Sequence, residues 1–179
     1  MAGSNGNIGN AAVSPPISPT LVEGKAMPKI DIENVSESTG GEYPARFRHV
    51  DAACTRQALG DAVGLSQYGA NLTRIPPGAA SALRHWHEYE DEFVYVISGE
   101  LMLMEEGGET LLRAGDAAGF KAGVANGHQL VNRSESDALC LEIGTRAANE
   151  RGHYPDEDLM VEKIDEGWKF TDKSGNPID

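Results

Sequence analysis

An all-β fold, either a sandwich or a barrel, is predicted by this sequence. Short apolar runs alternate with turn-forming residues at intervals of about ten residues, the spacing typical of sandwiches and barrels. No stretch of the central part of the chain holds a helical period for three turns. Glycine accounts for 21 of the 179 residues, which suits a fold with many tight corners. Together these observations predict short strands joined by tight turns.

Seven apolar runs are the clearest strand candidates, and turn-forming residues separate them. In chain order they are Tyr68–Ile75, Glu92–Ile97, Glu100–Met104, Thr110–Arg113, Ala117–Phe120, His128–Val131 and Ala138–Ile143. The turns between them include Pro76-Pro77-Gly78 and Ser98-Gly99, residue types that favour tight reversals of the chain. The best helical candidate is the short segment Cys54–Leu59.

The composition excludes several classes of function. The chain has 15 Lys and Arg residues against 28 Asp and Glu residues, a net charge of −13 with histidine neutral. Because phosphate contacts need a basic surface, we expect no nucleic-acid partner. No apolar run approaches about 18 residues, so we expect no membrane partner. The two cysteines, Cys54 and Cys140, cannot build a disulfide framework and indicate reduced thiols in a cytoplasmic protein.

One domain with two tails is predicted from length and composition. Residues 1–27 are rich in Gly, Asn, Ser and Pro, which favours a flexible arm; an arm that packs on a partner subunit is the alternative. Residues 28–148 contain the strand candidates and are assigned to the β domain. Residues 149–179 form a polar C-terminal extension, with a short strand pair expected around Ser174-Gly175-Asn176-Pro177.

Four residues have the pattern of a metal site. His85 and His87 are separated by one residue, and on a strand such residues project from the same face. Glu92 opens the next apolar run after a charged turn that lets the chain double back, and His128 begins a later run. Imidazole nitrogens with one carboxylate suit a divalent transition metal. The alternative is that His85 and His87 cover an exposed edge strand.

The segment around the two adjacent histidines resembles the first motif of the cupin superfamily, G-x5-HxH-x4-E-x6-G. It has Gly78, six residues, His85-Trp86-His87, four residues, Glu92, six residues and Gly99. The first gap is longer than the motif by one residue, and the other gaps fit.

A later segment resembles the second cupin motif, G-x5-PxG-x2-H-x3-N. It has Gly115, five residues and Lys121-Ala122-Gly123 where the motif has Pro-x-Gly. Four residues rather than two then precede His128, and Asn132 follows at the motif spacing. The two motifs and the strands that flank them extend the likeness over roughly residues 60–145.

The resemblance implies a double-stranded β-helix, a jelly-roll barrel, as in small single-domain bacterial cupins of the RmlC-like type. It also implies that one metal ion is held by His85, His87, Glu92 and His128. Such a ligand set leaves positions on the ion for water or substrate, as a catalytic site requires. We expect divalent Fe, Mn, Zn, Ni or Cu, and the residues do not choose among these metals.

Functions of different classes remain open, because one fold hosts unrelated chemistries. The preferred hypothesis is a metal-dependent enzyme that acts on a small, mostly neutral organic molecule by isomerase, lyase or dioxygenase chemistry. The alternatives are a non-catalytic protein in which the metal anchors a small ligand for binding or sensing, and a structural barrel with vestigial histidines. No catalytic residue is assigned from the sequence.

Several neighbouring residues are interpreted without a catalytic role. The acidic turn Glu88–Asp91 is interpreted as a solvated turn, and Cys140 as a buried inert thiol. Trp86 should point away from the cavity by strand alternation. Glu142 lies in an apolar run and faces either the cavity or the surface; the sequence leaves both open.

A homodimer is expected because open jelly rolls have edge strands that need to be covered. The segment Lys29–Val35, with its branched apolar side chains, is the candidate for an edge strand that pairs across subunits.

Overall fold

Antiparallel strands are the main secondary structure. The computed structural model describes residues 29–165 and 167–179, so the predicted arm, residues 1–27, lies outside the described residues. The strands within these ranges are β1 (Glu37–Thr39), β2 (Thr55–Ala58), β3 (Tyr68–Ile75), β4 (Trp86–His87), β5 (Glu92–Ser98), β6 (Glu100–Glu105), β7 (Gly108–Arg113), β8 (Ala117–Phe120), β9 (Gln129–Val131), β10 (Ala138–Thr145), β11 (Arg151–Tyr154), β12 (Leu159–Ile164) and β13 (Gly167–Thr171). A short helix, α1 (Leu59–Ala62), and two 3-10 turns, Ile32–Asn34 and Ala45–Phe47, accompany them. The all-β prediction is confirmed.

The strands are arranged in three sheets. The large sheet has the order β1-β2-β3-β10-β5-β8, and a three-stranded sheet has the order β7-β6-β9. The third sheet, β13-β12-β11-β4, consists of the C-terminal strands and the short strand β4 from the middle of the chain. Where a short strand pair was expected, the C-terminal residues therefore form three strands, and Pro177 is bridged to Thr171.

An apolar core lies between the large sheet and the three-stranded sheet. The large sheet contributes buried residues such as Val96 and Cys140, and the three-stranded sheet contributes Leu101 and Leu130. Their spacing follows strand alternation: along β5, Val94 and Val96 are buried whereas Phe93, Tyr95 and Ile97 are exposed.

A second apolar cluster attaches the C-terminal strands to the rest of the molecule. Tyr154, Leu159 and Val161 from β11 and β12 pack with Tyr43 and Phe47, which precede β2. The two strands are thereby fixed beside β4, which contains one of the predicted metal ligands.

Two local predictions are wrong. Cys54–Leu59 was the best helical candidate, but Thr55–Ala58 is a strand paired with both β1 and β3, and the helix begins at Leu59. Tertiary pairing outweighs the weak local preference of such a short segment. In Lys29–Val35 a single 3-10 turn replaces the expected edge strand, and the first strand starts at Glu37 and pairs with β2 of the same chain. The homodimer stays a prediction.

None of the helical segments within the described ranges has the length and hydropathy that a membrane crossing requires.

Candidate metal centre

The two neighbouring histidines are held by pairing with strands on both sides. The backbone of His85 exchanges hydrogen bonds with that of His128, at 3.0 Å and 2.8 Å. His87 lies on β4, opposite Gly152 of β11. The segment that contains both histidines is therefore fixed by β11 on one side and by the residues just before β9 on the other.

The four predicted ligands converge on one carboxylate oxygen. Glu92 starts β5, and its Oε2 lies 2.8 Å from Nε2 of His128, 3.5 Å from Nε2 of His87 and 3.8 Å from Nε2 of His85. Ligand atoms of His85, His87 and Glu92 all lie within 4.8 Å of one another. The three imidazoles thus present the same nitrogen to one point.

The Glu92 oxygen at this point is not satisfied by protein donors. It is buried and is not assigned a hydrogen-bond partner among the described residues; the nearest imidazole nitrogen, Nε2 of His128, lies 2.8 Å away. A buried carboxylate oxygen without a partner is costly. A cation shared with three imidazole nitrogens would remove that cost, and this donor set is the one that divalent transition metals prefer. The residues present therefore fit a metal ion.

The protonation states also favour metal binding. Burial, opposed by the charge of Glu92, lowers the pKa of His85 to about 4, so its imidazole is neutral at physiological pH. Burial alone would raise the pKa of Glu92, but the contact with His128 and the charges of His85 and His87 lower it to about 2. Metal ligands must be deprotonated, and both groups meet that condition.

Each histidine ring has a different partner on its far side. Nδ1 of His85 lies 2.7 Å from the carbonyl oxygen of Leu83. The ring of His128 stacks on Phe120 with 3.6 Å between centroids, whereas its Nδ1 is buried with no hydrogen-bond partner in the described part of the chain. Carbonyl contact and stacking both restrict ring orientation, as neighbours of metal-binding histidines commonly do.

His87 has a carboxylate partner that no sequence pattern predicts. Its Nδ1 lies 3.1 Å from Oε1 of Glu150, a fully buried residue just before β11. Burial lowers the pKa of His87, but the bond to Glu150 and the charge of Glu92 outweigh it, and the pKa is raised. Burial would raise the pKa of Glu150, and the bonds from His87 and from two backbone N–H groups lower it instead.

A cavity of about 530 Å³ opens beside the four ligands. His85, Glu92 and His128 form part of its wall, and a smaller cavity of about 190 Å³ reaches His87 from another side. Three cationic side chains also line the larger cavity: Arg56, Arg146 and Lys163. A concave, largely preformed space of this size is typical of small-molecule sites.

Glu142 faces this cavity, which settles the question of its orientation that the sequence left open. Its Oε2 accepts a hydrogen bond from the Thr73 hydroxyl at 2.6 Å and lies 3.7 Å from Nε of Arg56. Burial raises the pKa of Glu142, and Arg56 and Thr73 oppose that shift only in part. A carboxyl group with a raised pKa beside a cavity is a candidate for proton transfer.

The acidic turn is less solvated than predicted. The side chain of Glu90 is 13% exposed, and its Oε1 accepts a hydrogen bond from the backbone N–H of Ala147 at 2.7 Å. Glu88 lies 2.7 Å from the ring of His153. Trp86 stacks on His153 as well, with 4.1 Å between centroids. The turn is therefore folded against the C-terminal segment.

The comparisons with known proteins agree on one family. The family model described as "Cupin domain" matches residues 71–144. The chain is similar to a sugar phosphate isomerase from a cupin superfamily of Silicibacter pomeroyi, at 44% identity and a TM-score of 0.82. The match covers 85% of this chain and 97% of that chain. The chain belongs to the cupin superfamily.

More distant structures agree with this cupin fold. A putative sugar phosphate isomerase from Acidithiobacillus ferrooxidans is 32% identical over 70% of this chain and 80% of that chain, with a TM-score of 0.64. A predicted oxalate decarboxylase from Thermotoga maritima is 19% identical over 66% of this chain and 99% of that chain, with a TM-score of 0.55, and supports the fold alone. No curated protein matches the chain. The prediction of a double-stranded β-helix is confirmed.

Asn132, the last residue of the second cupin motif, stabilises a turn. Asn132 is fully buried and donates from Nδ2 to the carbonyl oxygens of Ile75 and Ser136, at 2.7 Å and 2.8 Å. Its Oδ1 accepts from Ser134. The side chain therefore fixes the turn after β9 rather than facing the cavity.

Proposed function

We propose that this cupin is a metal-dependent enzyme that acts on a small organic molecule, with one divalent metal held by His85, His87, Glu92 and His128. The observation that carries the proposal is the convergence of three imidazole Nε2 atoms on a buried Glu92 oxygen that has no hydrogen-bond partner among the described residues. Divalent Fe, Mn, Zn, Ni and Cu all accept these donors. When bound, such an ion polarises a hydroxyl or carbonyl oxygen and stabilises the negative charge that develops on it.

With a divalent metal bound, the cavity can accept an anionic substrate in place of the neutral one expected from the acidic surface. Arg56, Arg146 and Lys163 bring three cations to its wall, against the carboxylates of Asp61, Glu90, Glu92 and Glu142, and the ion would add two positive charges. Lys163 and Arg146 approach the same short segment, since Nζ of Lys163 donates to the carbonyl oxygen of Ala147 at 2.9 Å. Local charge, rather than net charge, decides what a pocket binds.

Isomerisation of a sugar phosphate is the reaction class that these features support best. It requires a proton to move between adjacent carbons, and Glu142 is the candidate to move it, because it faces the cavity and burial raises its pKa. Arg56 and Thr73 hold the Glu142 carboxylate in place. Of the two solved cupins at 44% and 32% identity, the first is described as a sugar phosphate isomerase and the second as a putative one.

Metal content is the first test. Protein purified without chelators or a nickel column should contain about one divalent ion per chain by mass spectrometry, consistent with one set of three imidazoles and a carboxylate. Less than about a tenth of an ion per chain, with no increase on addition of metal, contradicts the proposal.

Proton exchange is the test of reaction class. A panel of aldose and ketose phosphates is incubated in D₂O with metal-loaded protein, and incorporation of deuterium beside the carbonyl is followed by NMR. We expect exchange with a phosphorylated sugar that is lost on chelation and in Glu142→Gln. Binding of a sugar phosphate without exchange would instead favour the non-catalytic ligand-binding alternative.

A further inference from the structure

Glu150 is a fully buried carboxylate whose bonds all go to the segment that begins with a predicted metal ligand. Its Oε1 lies 3.1 Å from Nδ1 of His87 and accepts the backbone N–H of Glu88 at 3.1 Å. Its Oε2 accepts the backbone N–H of Tyr89 at 2.9 Å. A fully buried glutamate is rare, and its carboxylate requires hydrogen-bond donors such as these.

These contacts determine which ring nitrogen of His87 has the proton. An ionised carboxylate is an acceptor only, and the two backbone groups already donate to it, so Nδ1 of His87 must be the protonated nitrogen. The unprotonated nitrogen is then Nε2, the atom 3.5 Å from the Glu92 oxygen. The carboxylate thus keeps the lone pair of His87 directed at the metal centre.

The three histidines differ in this respect. His85 uses a backbone carbonyl, that of Leu83, for the same contact, and His128 has no hydrogen-bond partner for Nδ1 in the described ranges. Among the three, His87 alone is oriented by a charged group, and a carboxylate partner makes an imidazole a stronger metal ligand than a carbonyl does.

The position of Glu150 in the chain adds a second consequence. It lies beyond residues 71–144, the part that matches the cupin family model. It precedes β11, and β11 passes so close to His87 that a Cβ at Gly152 would lie 4.0 Å from the imidazole Cε1. The C-terminal sheet therefore supplies both a strand partner and a carboxylate to one ligand.

We propose that Glu150 is a positioning residue: it fixes the Nδ1-protonated form of His87 and thereby links the C-terminal sheet to metal affinity. This inference rests on the proposed metal-binding role of His87. His87, Glu90 and Glu150 also lie within 4.8 Å of one another. A second cation there is disfavoured, because Nδ1 of His87 and the backbone donors already occupy both oxygens of Glu150.

The tautomer is the first readout, and it needs no metal. In the metal-free full chain, ¹⁵N–¹H correlation spectra of the imidazoles at about pH 8.5, above the ordinary histidine pKa, should show the Nδ1-protonated form of His87. In Glu150→Gln we expect that form to be lost or mixed with the Nε2-protonated one. An unchanged His87 spectrum in the variant overturns the proposal.

Metal affinity is the second readout, measured with Co²⁺ alone by competition with a coloured chelator. Glu150→Gln should bind Co²⁺ about 10- to 100-fold more weakly, the usual cost of removing a partner of a metal-binding histidine. Glu90→Gln is the matched control: it removes a neighbouring carboxylate that does not bond to His87 and should keep both the tautomer and the affinity. Equal losses in the two variants would mean a general charge effect and overturn the proposal.

A third variant separates positioning from simple destabilisation. Leu159→Ala creates a cavity in the same C-terminal sheet, at a fully buried residue that faces Tyr154 rather than His87. It should lower the melting temperature at least as much as Glu150→Gln while leaving the Nδ1-protonated form of His87 in place; loss of that form in Leu159→Ala would mean general destabilisation and overturn the proposal. If the wild-type protein binds no Co²⁺, the proposed metal-dependent function fails, and the tautomer measurement still decides the role of Glu150.

Discussion

The two ends of the large sheet are made by the same three central strands, β3, β10 and β5, but their inward-facing side chains differ in kind. At one end, a row across the strands contains Thr73, Cys140 and Val96, all buried. Two residues away along each strand, towards the metal centre, the inward-facing row consists of Asn71, Glu142 and Val94. Glu92 belongs to the next inward-facing row, opposite Gly144. Within a few residues of each strand, the interior changes from packed core to polar cavity.

This difference separates stability from chemistry. Apolar side chains in the packed end are close to one another and contribute burial free energy. The cavity end contains carboxylates whose pKa values are displaced by burial or by neighbouring histidines, and such groups cost stability unless a ligand compensates them. We therefore expect substitutions at the two ends to have different signatures.

Removal of a ligand at the cavity end should have the largest effect on metal binding. We expect His87→Ala to abolish uptake of a divalent ion, because it removes one of the three nitrogens that surround the Glu92 oxygen. Glu90→Ala is the control, since its carboxylate bonds to a backbone N–H instead. Metal content after dialysis against Co²⁺ measures both, and equal losses would mean that the carboxylate ligand is misassigned.

A cavity at the packed end should have the largest effect on stability. Leu101 is fully buried between the two sheets, and Leu101→Ala should lower the free energy of unfolding by about 2–5 kcal/mol. Denaturation by urea measures this loss. The affinity of the remaining folded protein for Co²⁺ should be unchanged; a large change in affinity would show that the two ends are not independent.

Much of the fold was predictable because its signals are local. Tyr68–Ile75 and Ala117–Phe120 are strands with the predicted bounds, and apolar alternation with flanking turns is present in the sequence itself. The grouping of His85, His87, Glu92 and His128 was equally accessible, since their spacing follows the two cupin motifs.

The rest depends on pairings between distant residues. Glu150 lies 63 positions from His87 and belongs to no motif, so nothing in the sequence places it beside the imidazole. The orientation of Glu142 follows from its register opposite Asn71 and Val94, and a shift of one residue would have turned it outward. Cys54–Leu59 was mispredicted for the same reason, because its strand exists through its partners.

The pH dependence of metal binding should distinguish the histidines at the cavity end from one another. Metal binds the neutral imidazole, so protonation weakens binding as the pH falls. The pKa of His87 is raised from its ordinary value of 6.5, whereas that of His85 is lowered to about 4. As the pH falls, protons should therefore compete with the metal for His87 before they compete for His85, which they should do only near pH 4.

A plot of log Kd for Co²⁺ against pH measures these two steps. We expect the bends contributed by His87 and His85 to lie at separate pH values, each adding about one proton to the slope. Glu150→Gln should move the upper bend to lower pH, because it removes the group that raises the pKa of His87. A single bend at which both histidines titrate together would contradict the different environments of the two rings.

The smallest effect on stability is expected when a methyl group is added to the cavity wall at Gly144. A Cβ at Gly144 would meet its nearest neighbour, Cγ of Glu92, at 3.7 Å, an ordinary van der Waals contact. Gly144→Ala should therefore change the free energy of unfolding by no more than about 0.5 kcal/mol, as is usual for a substitution without strain. Gly99, which joins β5 to β6 at the packed end, is the contrasting position.

Gly99 has a φ of +76°, and a Cβ there would lie 2.7 Å from the carbonyl oxygen of Asp137 and 2.8 Å from Cα of Ala138. Backbone atoms cannot move aside cheaply, so Gly99→Ala should cost about 1–3 kcal/mol for the backbone conformation alone. Urea denaturation of the two variants side by side tests whether free space is confined to the cavity end. Equal destabilisation by Gly144→Ala would mean that the wall of the cavity around Glu92 is as tightly packed as the core.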